Sequence, residues 1–342
     1  MTSRAFITGI SGTELSAAER EFIGAARPWG FILFKRNVED PSQVSRLVGA
    51  LRDAVGRPDA PVLIDQEGGR VQRFGPPHWP TYPAGAVFGR LYDMKPALGL
   101  TAARLSARLI ADDLALTGVS VDCLPLADVP VAGADAVIGD RAYGTNPVKV
   151  AAIARAITDR LEQGGILPVL KHIPGHGRAT ADTHFRLPVV DVARDELEAT
   201  DFAAFVPLAD LPMAMTAHVV FSGIDPAQPA TTSATMIEQV IRGSIGFQGL
   251  LMSDDVSMNA LAGSIAERTR AIFVAGCDVV LHCNGKLEEM RDVANHSPEL
   301  SGEALRRASR ALAARKAPLP FDRSAARAEL DSLIGRLGTA NA

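Results

Sequence analysis

Residues 171–184, KHIPGHGRATADTH, bring Lys171, three histidines and Asp182 together around Pro174, Gly175 and Gly177. Such a stretch could hold a metal, cradle a phosphate or move a proton. His172 and His176 are four residues apart, the spacing that places two zinc ligands on one helix face, but Pro174, Gly175 and Gly177 oppose a helix. The early apolar run AFITGI supplies no paired histidine to complete a ligand set, so no metal and no cofactor are expected. GHG is not the GxxxxGK[ST] phosphate loop. The third reading is Asp182-Thr183-His184. An aspartate two residues before a histidine can accept its Nδ1 proton, orient the ring and raise its basicity, which suits a general acid/base. Asp-x-His alone is unspecific, because it occurs often on protein surfaces.

The run GLLMSDD, 249–255, ends in two carboxylates. Side chains alternate along a strand, so only Asp254 can share a face with Leu250 and Met252. A carboxylate at the end of a buried strand is costly without a partner or a task. Attack on a sugar's anomeric carbon is such a task, with an acid protonating the departing oxygen. Asp255 fits a plainer role, capping a helix expected near Met258. Asp65, at the end of VLID, stands near Arg70 and Arg73 in EGGRVQRF, and Arg141 lies in IGDRAYG. A carboxylate ringed by rigid guanidinium donors suits vicinal hydroxyls, although each arginine could equally pair a structural carboxylate.

These groups need strands to position them. Eight apolar runs recur: AFITGI (5–10), GFILFK (30–35), PVLIDQ (61–66), SVDCLPLAD (120–128), LPVLKH (167–172), PMAMTAHVV (212–220), GLLMSDD (249–255) and CDVVLHC (277–283). Helical periodicity fills intervening stretches such as Leu15–Ala26, Pro41–Ala54, Pro96–Thr117 and Val148–Gln163. Alternating strands and helices predict a parallel sheet, and eight units suffice to close an α/β (β/α)8 TIM-type barrel. A doubly wound open sheet is the rival. The barrel is favoured because polar residues end many runs, and in a barrel those ends share one mouth. The Gly/Pro-rich connection 68–83 and the segment 172–188 are expected as functional loops there. One domain over 1–342 is expected, with about 299–342 as a C-terminal helical extension.

A chain of 342 residues, 47% hydrophobic and 22% charged with net charge −4, has the balance of a globular enzyme and no basic patch for nucleic acid. Cys123, Cys277 and Cys283 lack CxxC spacing and read as reduced core residues. No apolar stretch is long enough for a membrane span and the N-terminus does not read as a signal peptide, so a cytoplasmic location is expected. The expected partner is a small molecule, with no nucleic acid and no membrane, and a monomer satisfies the sequence.

LFKRN, DQEGGRVQRF, VIGDRAYG, KHIPGHG with ADTH, and MSDDVSM, taken in this order, resemble the glycoside hydrolase family 3 β-N-acetylhexosaminidases. The likeness is greatest to the single-domain bacterial enzymes of peptidoglycan recycling, and runs from SGTELSAAER near residue 11 to about residue 285. It implies a TIM-type barrel and retaining hydrolysis of terminal β-linked N-acetylglucosamine. Asp254 would be the nucleophile and His184, paired with Asp182, the acid/base. Asp65, Arg73, Arg141, Lys171 and His172 would contact sugar. The implied substrate is N-acetylglucosaminyl-1,6-anhydro-N-acetylmuramic acid, with or without its peptide. The family often has Phe at Ile173 and Ser at Thr183. SVDCLPLAD is a looser match and lends no functional residue. Strand alternation sends Lys171 and His172 to opposite sides, unless the strand has already turned into loop at Lys171. Three alternatives stay open: a family 3 phosphorylase, a substrate-assisted hydrolase, and a sugar-binding barrel without catalysis.

Overall fold

The computed structural model of the chain describes residues 2–179, 181, 183 and 186–339. All eight apolar runs contribute strands to one parallel sheet. These are β1 (Arg4–Thr8), β2 (Pro28–Leu33), β3 (Val62–Ile64), β4 (Val121–Asp122), β5 (Leu167–Pro168, resuming as Leu170–Ile173), β6 (Met213–Thr216), β7 (Leu250–Asp255) and β8 (Val279–His282). Each pairs with its neighbours in chain order, and β8 pairs with β1. Closure passes through β5, whose first arm pairs with β4 and whose second arm pairs with β6. The expected (β/α)8 barrel is therefore present, and the open sheet is excluded.

Helical segments follow every strand. The first, Ala17–Ala26, starts at a reciprocal cap between Ser16 and Glu19, and the second, Pro41–Val55, ends at Gly56 with positive φ. Two helices, Gly85–Met94 and Pro96–Thr117, follow β3, and Pro147–Gln163 follows β4. After β5 come the short Arg194–Ala199 and the 3-10 turns Phe202–Ala204 and Val206–Leu208, and after β6 a π-helical segment, Met236–Ser244.

Period-two patterning explains the two apolar clusters. Ala5, Ile7, Leu63, Val121, Val169, Met213, Met215, Leu250, Met252, Val279 and Leu281 pack together inside the barrel. Their strand neighbours Phe6, Val62, Ile64, Leu170, Ala214, Leu251 and Val280 belong to the outer layer shared with the helices. The helix Gly302–Ala313 adds Ala308 and Ala311 to the interior cluster beside Ala5, Trp29 and Leu250, so it stoppers the end where the strands begin. Arg323, opening the last helix Arg323–Thr339, ties that segment to Asp112 and Asp113 of the long helix after β3.

Two expectations need correction. No helix begins near Met258: residues after Asp255 form turns, and the helix is Ile265–Ala275, capped reciprocally by Ser264 and Glu267. The Asp255 carboxylate instead accepts from Ser257 N at 3.0 Å, Ser257 Oγ at 2.7 Å and Cys283 N at 3.1 Å, which fixes the turn. Nor has the chain become loop at Lys171, because strand β5 continues through Ile173. The Lys171–His172 peptide is cis, and both side chains line one cavity.

Candidate active site

Continuing each inward-facing row beyond the core gives the cavity wall. Ile32 leads to Phe34, Leu63 to Asp65, Val169 to Lys171, Met252 to Asp254 and Leu281 to Cys283, and all the later members line one cavity at the strands' C-terminal ends. His172, from the same strand as Lys171, joins Arg73, Arg141, His176 and Thr183 from the connecting segments in its polar wall. Six of the eight expected site residues are thus gathered at one mouth: Asp254, Asp65, Arg73, Arg141, Lys171 and His172. The other two, Asp182 and His184, lie outside the described residues. Thr183 between them is buried and lines the cavity, and its carbonyl accepts from Ala260 N at 3.1 Å in the turn after Asp254.

The charged groups of the mouth form a row. Arg73 Nη2 donates to Asp65 Oδ2 at 3.0 Å, and Lys171 Nζ donates to Asp65 Oδ1 at 2.9 Å. The same ammonium lies 2.7 Å from Glu67 Oε1, and Arg141 grips Glu67 with two bonds of 2.8 and 2.9 Å. Lys171 is only 2% exposed, and an unpaired ammonium could not stay charged there. Burial lowers its affinity for a proton, but Asp65 and Glu67 more than offset this and raise it above the ordinary lysine range. Burial alone would raise both carboxyls. Lys171 and Arg73 nevertheless hold Asp65 far below the usual range, and Arg141 with Lys171 brings Glu67 to about 2. Three cations against two carboxylates leave the row with one net positive charge.

The hairpin Gln66–Gly68/Val71–Gln72 presents Glu67 and Arg73, and Gly68 and Gly69 turn it at φ 94° and 58°. A Cβ on Gly68 would meet Pro83 O at 2.3 Å. Arg70, one of the sequence candidates, is not in the wall. It donates to Asp140 and to the carbonyls of Ala136 and Val137, holding the loop that carries Arg141.

Asp128, beyond the short strand β4, is fully buried and organises the histidines. Its carboxylate accepts from His172 Nδ1 at 2.7 Å, from His172 N at 3.3 Å and from His176 N at 2.7 Å. Burial opposes its charge, but His172 and then His176 bring the carboxyl to about 2. An ionised acceptor at Nδ1 assigns the proton there and leaves Nε2 as the acceptor for a ligand hydroxyl. His176 packs 5.6 Å from His172, ring to ring, and burial, followed by the neighbouring His172, drives its imidazole down to about 4. It is neutral at physiological pH. Gly177 packs against Val129 O, where a Cβ would sit 2.1 Å away, so the base of this loop is seated tightly.

Asp254 faces this cluster. Its Oδ1 accepts from Asp255 N at 2.8 Å, and its own N donates to Thr216 Oγ1 at 3.3 Å. Burial would raise its carboxyl, yet His218 and His172, with the Asp255 N–H, hold it below the ordinary aspartate value. It is therefore ionised at neutral pH, the state a nucleophile requires. Among the described residues no group of three or more His, Cys, Asp and Glu is placed to hold a metal ion, and no helix is long and apolar enough to cross a membrane.

Glu67, Asp128 and His218 were not singled out by sequence reasoning as site residues, and His176 was weighed there chiefly as a metal ligand. A signal existed for Asp128 and His218, which both sit where apolar runs end, but their partners are distant in sequence. Asp128→Asn is expected to lower kcat/KM by about 10- to 100-fold, because an amide no longer fixes the His172 tautomer. Steady-state kinetics, with circular dichroism to verify the fold, checks this, and a near-normal kcat/KM would show that Asp128 only packs.

A closed (β/α)8 barrel with an ionised carboxylate opposite a cation-rich mouth is a glycoside hydrolase arrangement, and the chain belongs to glycosyl hydrolase family 3, whose N-terminal domain matches residues 7–311. It is an enzyme of the β-hexosaminidase kind. A β-hexosaminidase from Alkalilimnicola ehrlichii is 40% identical over 295 residues, covering 85% of this chain and 83% of that protein. Among solved structures, NagZ from Neisseria gonorrhoeae in complex with zinc ion superposes with TM-score 0.86 at 30% identity, covering 98% of this chain and 99% of that one. The same protein in complex with N-trifluoroacetyl-D-glucosamine gives 0.83 at 31% identity, covering 98% and 97%.

Proposed function

We propose that the enzyme is a retaining β-N-acetylhexosaminidase that releases terminal N-acetylglucosamine from 1,6-anhydro-N-acetylmuramic acid conjugates of peptidoglycan by double displacement. Asp254 attacks the anomeric carbon, and His184, oriented by Asp182, protonates the departing oxygen and later deprotonates water. Asp65, Arg73, Arg141, Lys171 and His172 hold the sugar's hydroxyls and its N-acetyl arm. The reading carries with it one catalytic domain over 1–342, with 299–342 as its helical extension, acting in the cytoplasm without a cofactor.

The observation that carries the reading is Asp254, ionised and inward-facing, in one cavity with the Asp65–Lys171 pair and the Asp128-oriented His172. The row Arg73–Asp65–Lys171–Glu67–Arg141 presents fixed donors and acceptors to a neutral polyol, and the gonococcal complex with an N-acylated glucosamine supports the amino-sugar preference. Comparing a chromogenic β-N-acetylglucosaminide with the matching β-glucoside tests it. The expected preference in kcat/KM is about 100-fold or more for the amino sugar, and equal rates would remove the reading. Product analysis in phosphate buffer should give free sugar, whereas sugar 1-phosphate would make the enzyme a phosphorylase.

A further inference from the structure

His218, at the end of the run that forms β6, is fully buried and does not line the cavity. Both its ring nitrogens are nevertheless engaged. Nε2 lies 3.0 Å from the backbone carbonyl of Asp255. A carbonyl can only accept, so Nε2 carries a proton and donates it. Nδ1 lies 2.7 Å from Thr231 Oγ1. That hydroxyl also lies 2.8 Å from Thr216 Oγ1 and 3.0 Å from the Ala217 carbonyl, and Thr216 Oγ1 accepts the Asp254 N–H at 3.3 Å.

The ring therefore holds the backbone on both sides of Asp254. One arm runs through Thr231 and Thr216 to the Asp254 amide. The other fixes the Asp255 carbonyl, and so the orientation of the residue whose N–H binds Asp254 Oδ1 at 2.8 Å. His218 is also the neighbour that does most to hold the Asp254 carboxyl below the ordinary aspartate value.

We propose that His218 is a positioning residue for the nucleophile, a buried clamp that aims the Asp254 carboxylate through the Asp255 carbonyl and the Thr231–Thr216 hydroxyl pair. The proposal rests on the reading of Asp254 as nucleophile, and it predicts a defect in attack without a defect in sugar binding. A displacement of about 1 Å at a reacting atom can cost on the order of 100-fold in rate.

Three variants of the full chain test it: His218→Asn, His218→Gln and Thr231→Val. An asparagine amide can replace Nδ1 but falls short of the Asp255 carbonyl, whereas a glutamine amide reaches where Nε2 was. The readout is covalent inactivation by a 5-fluoro glycosyl fluoride, followed as the first-order rate constant and the saturation constant, with peptide mapping of the label. His218→Asn should lower the rate constant by about 10- to 100-fold with a saturation constant changed less than about 3-fold. His218→Gln should recover most of the loss, and Thr231→Val should lose about 10-fold with His218 intact. Labelling of Asp254 at the wild-type rate in His218→Asn, or in Thr231→Val where the histidine variants do not fold, overturns the clamp. So does a glutamine variant no better than asparagine. Absence of label on Asp254 in the wild-type enzyme is a different result, which removes the nucleophile assignment itself.

Discussion

Asp254→Ala is expected to reduce turnover of an aryl β-N-acetylglucosaminide by about 10⁴-fold or more, with substrate binding still measurable by calorimetry. The size follows from the geometry. Asp254 is the inward-facing member of the terminal carboxylate pair, continuing the row from Leu250 and Met252, while the oxygens of Asp255 are committed to Ser257 and Cys283 N. Among the described residues lining the cavity, the other carboxylates, Asp65 and Asp255, are already committed to partners. A 2-fluoro or 5-fluoro glycosyl inactivator should accordingly label Asp254. Label on Asp255, or turnover by Asp254→Ala within about 100-fold of wild type, would end the double-displacement mechanism.

The second large effect concerns the proton. His184→Ala should lower kcat/KM for a natural disaccharide by about 10³-fold, within the usual range for a general acid. A nitrophenyl leaving group needs little protonation, so its glycosylation step should be largely spared. Deglycosylation still needs a base. The intermediate should then accumulate and appear as a pre-steady-state burst. Asp182→Ala should move the same way by less, because it removes only the orienting partner. Equal losses on good and poor leaving groups, with no burst, would transfer the proton role to another group at the mouth. His172, already fixed by Asp128 at 2.7 Å, is the first to examine.

The fold was legible because its signal is local and repeated. Eight apolar runs, each followed by a helical segment, leave few solutions, and alternation along GLLMSDD singles out Asp254, although Asp255 also borders the cavity with its carboxylate tied to Ser257 and Cys283 N. The same rule failed at Lys171 and His172, where both side chains enter the cavity from consecutive positions. The helix after β7 was placed too early because Asp255 looks like a cap in sequence, whereas the Ser264–Glu267 pair performs that function seven residues beyond Ser257. What stayed hidden was pairing at long range. Glu67 meets Arg141 across 74 positions, and Asp128 meets His172 across 44. Neither partner marks the other in a single sequence, so Arg70 and Arg141 looked alike until one proved to brace a loop and the other to face the cavity.

The five-charge row from Arg73 to Arg141 also constrains how this enzyme can diverge. Asp65 touches Arg73 and Lys171, and Glu67 touches Lys171 and Arg141. Neutralising Glu67 strands the nearly buried Arg141, at a cost of about 3–5 kcal/mol, and neutralising Asp65 takes from Arg73 its carboxylate partner. A descendant acquiring a taste for a different sugar therefore cannot explore these positions one at a time. Its accessible routes run through the uncharged wall, at Val71, Val137, Ile138 and Met258, where a changed side chain alters the shape of the mouth and leaves every ion pair intact.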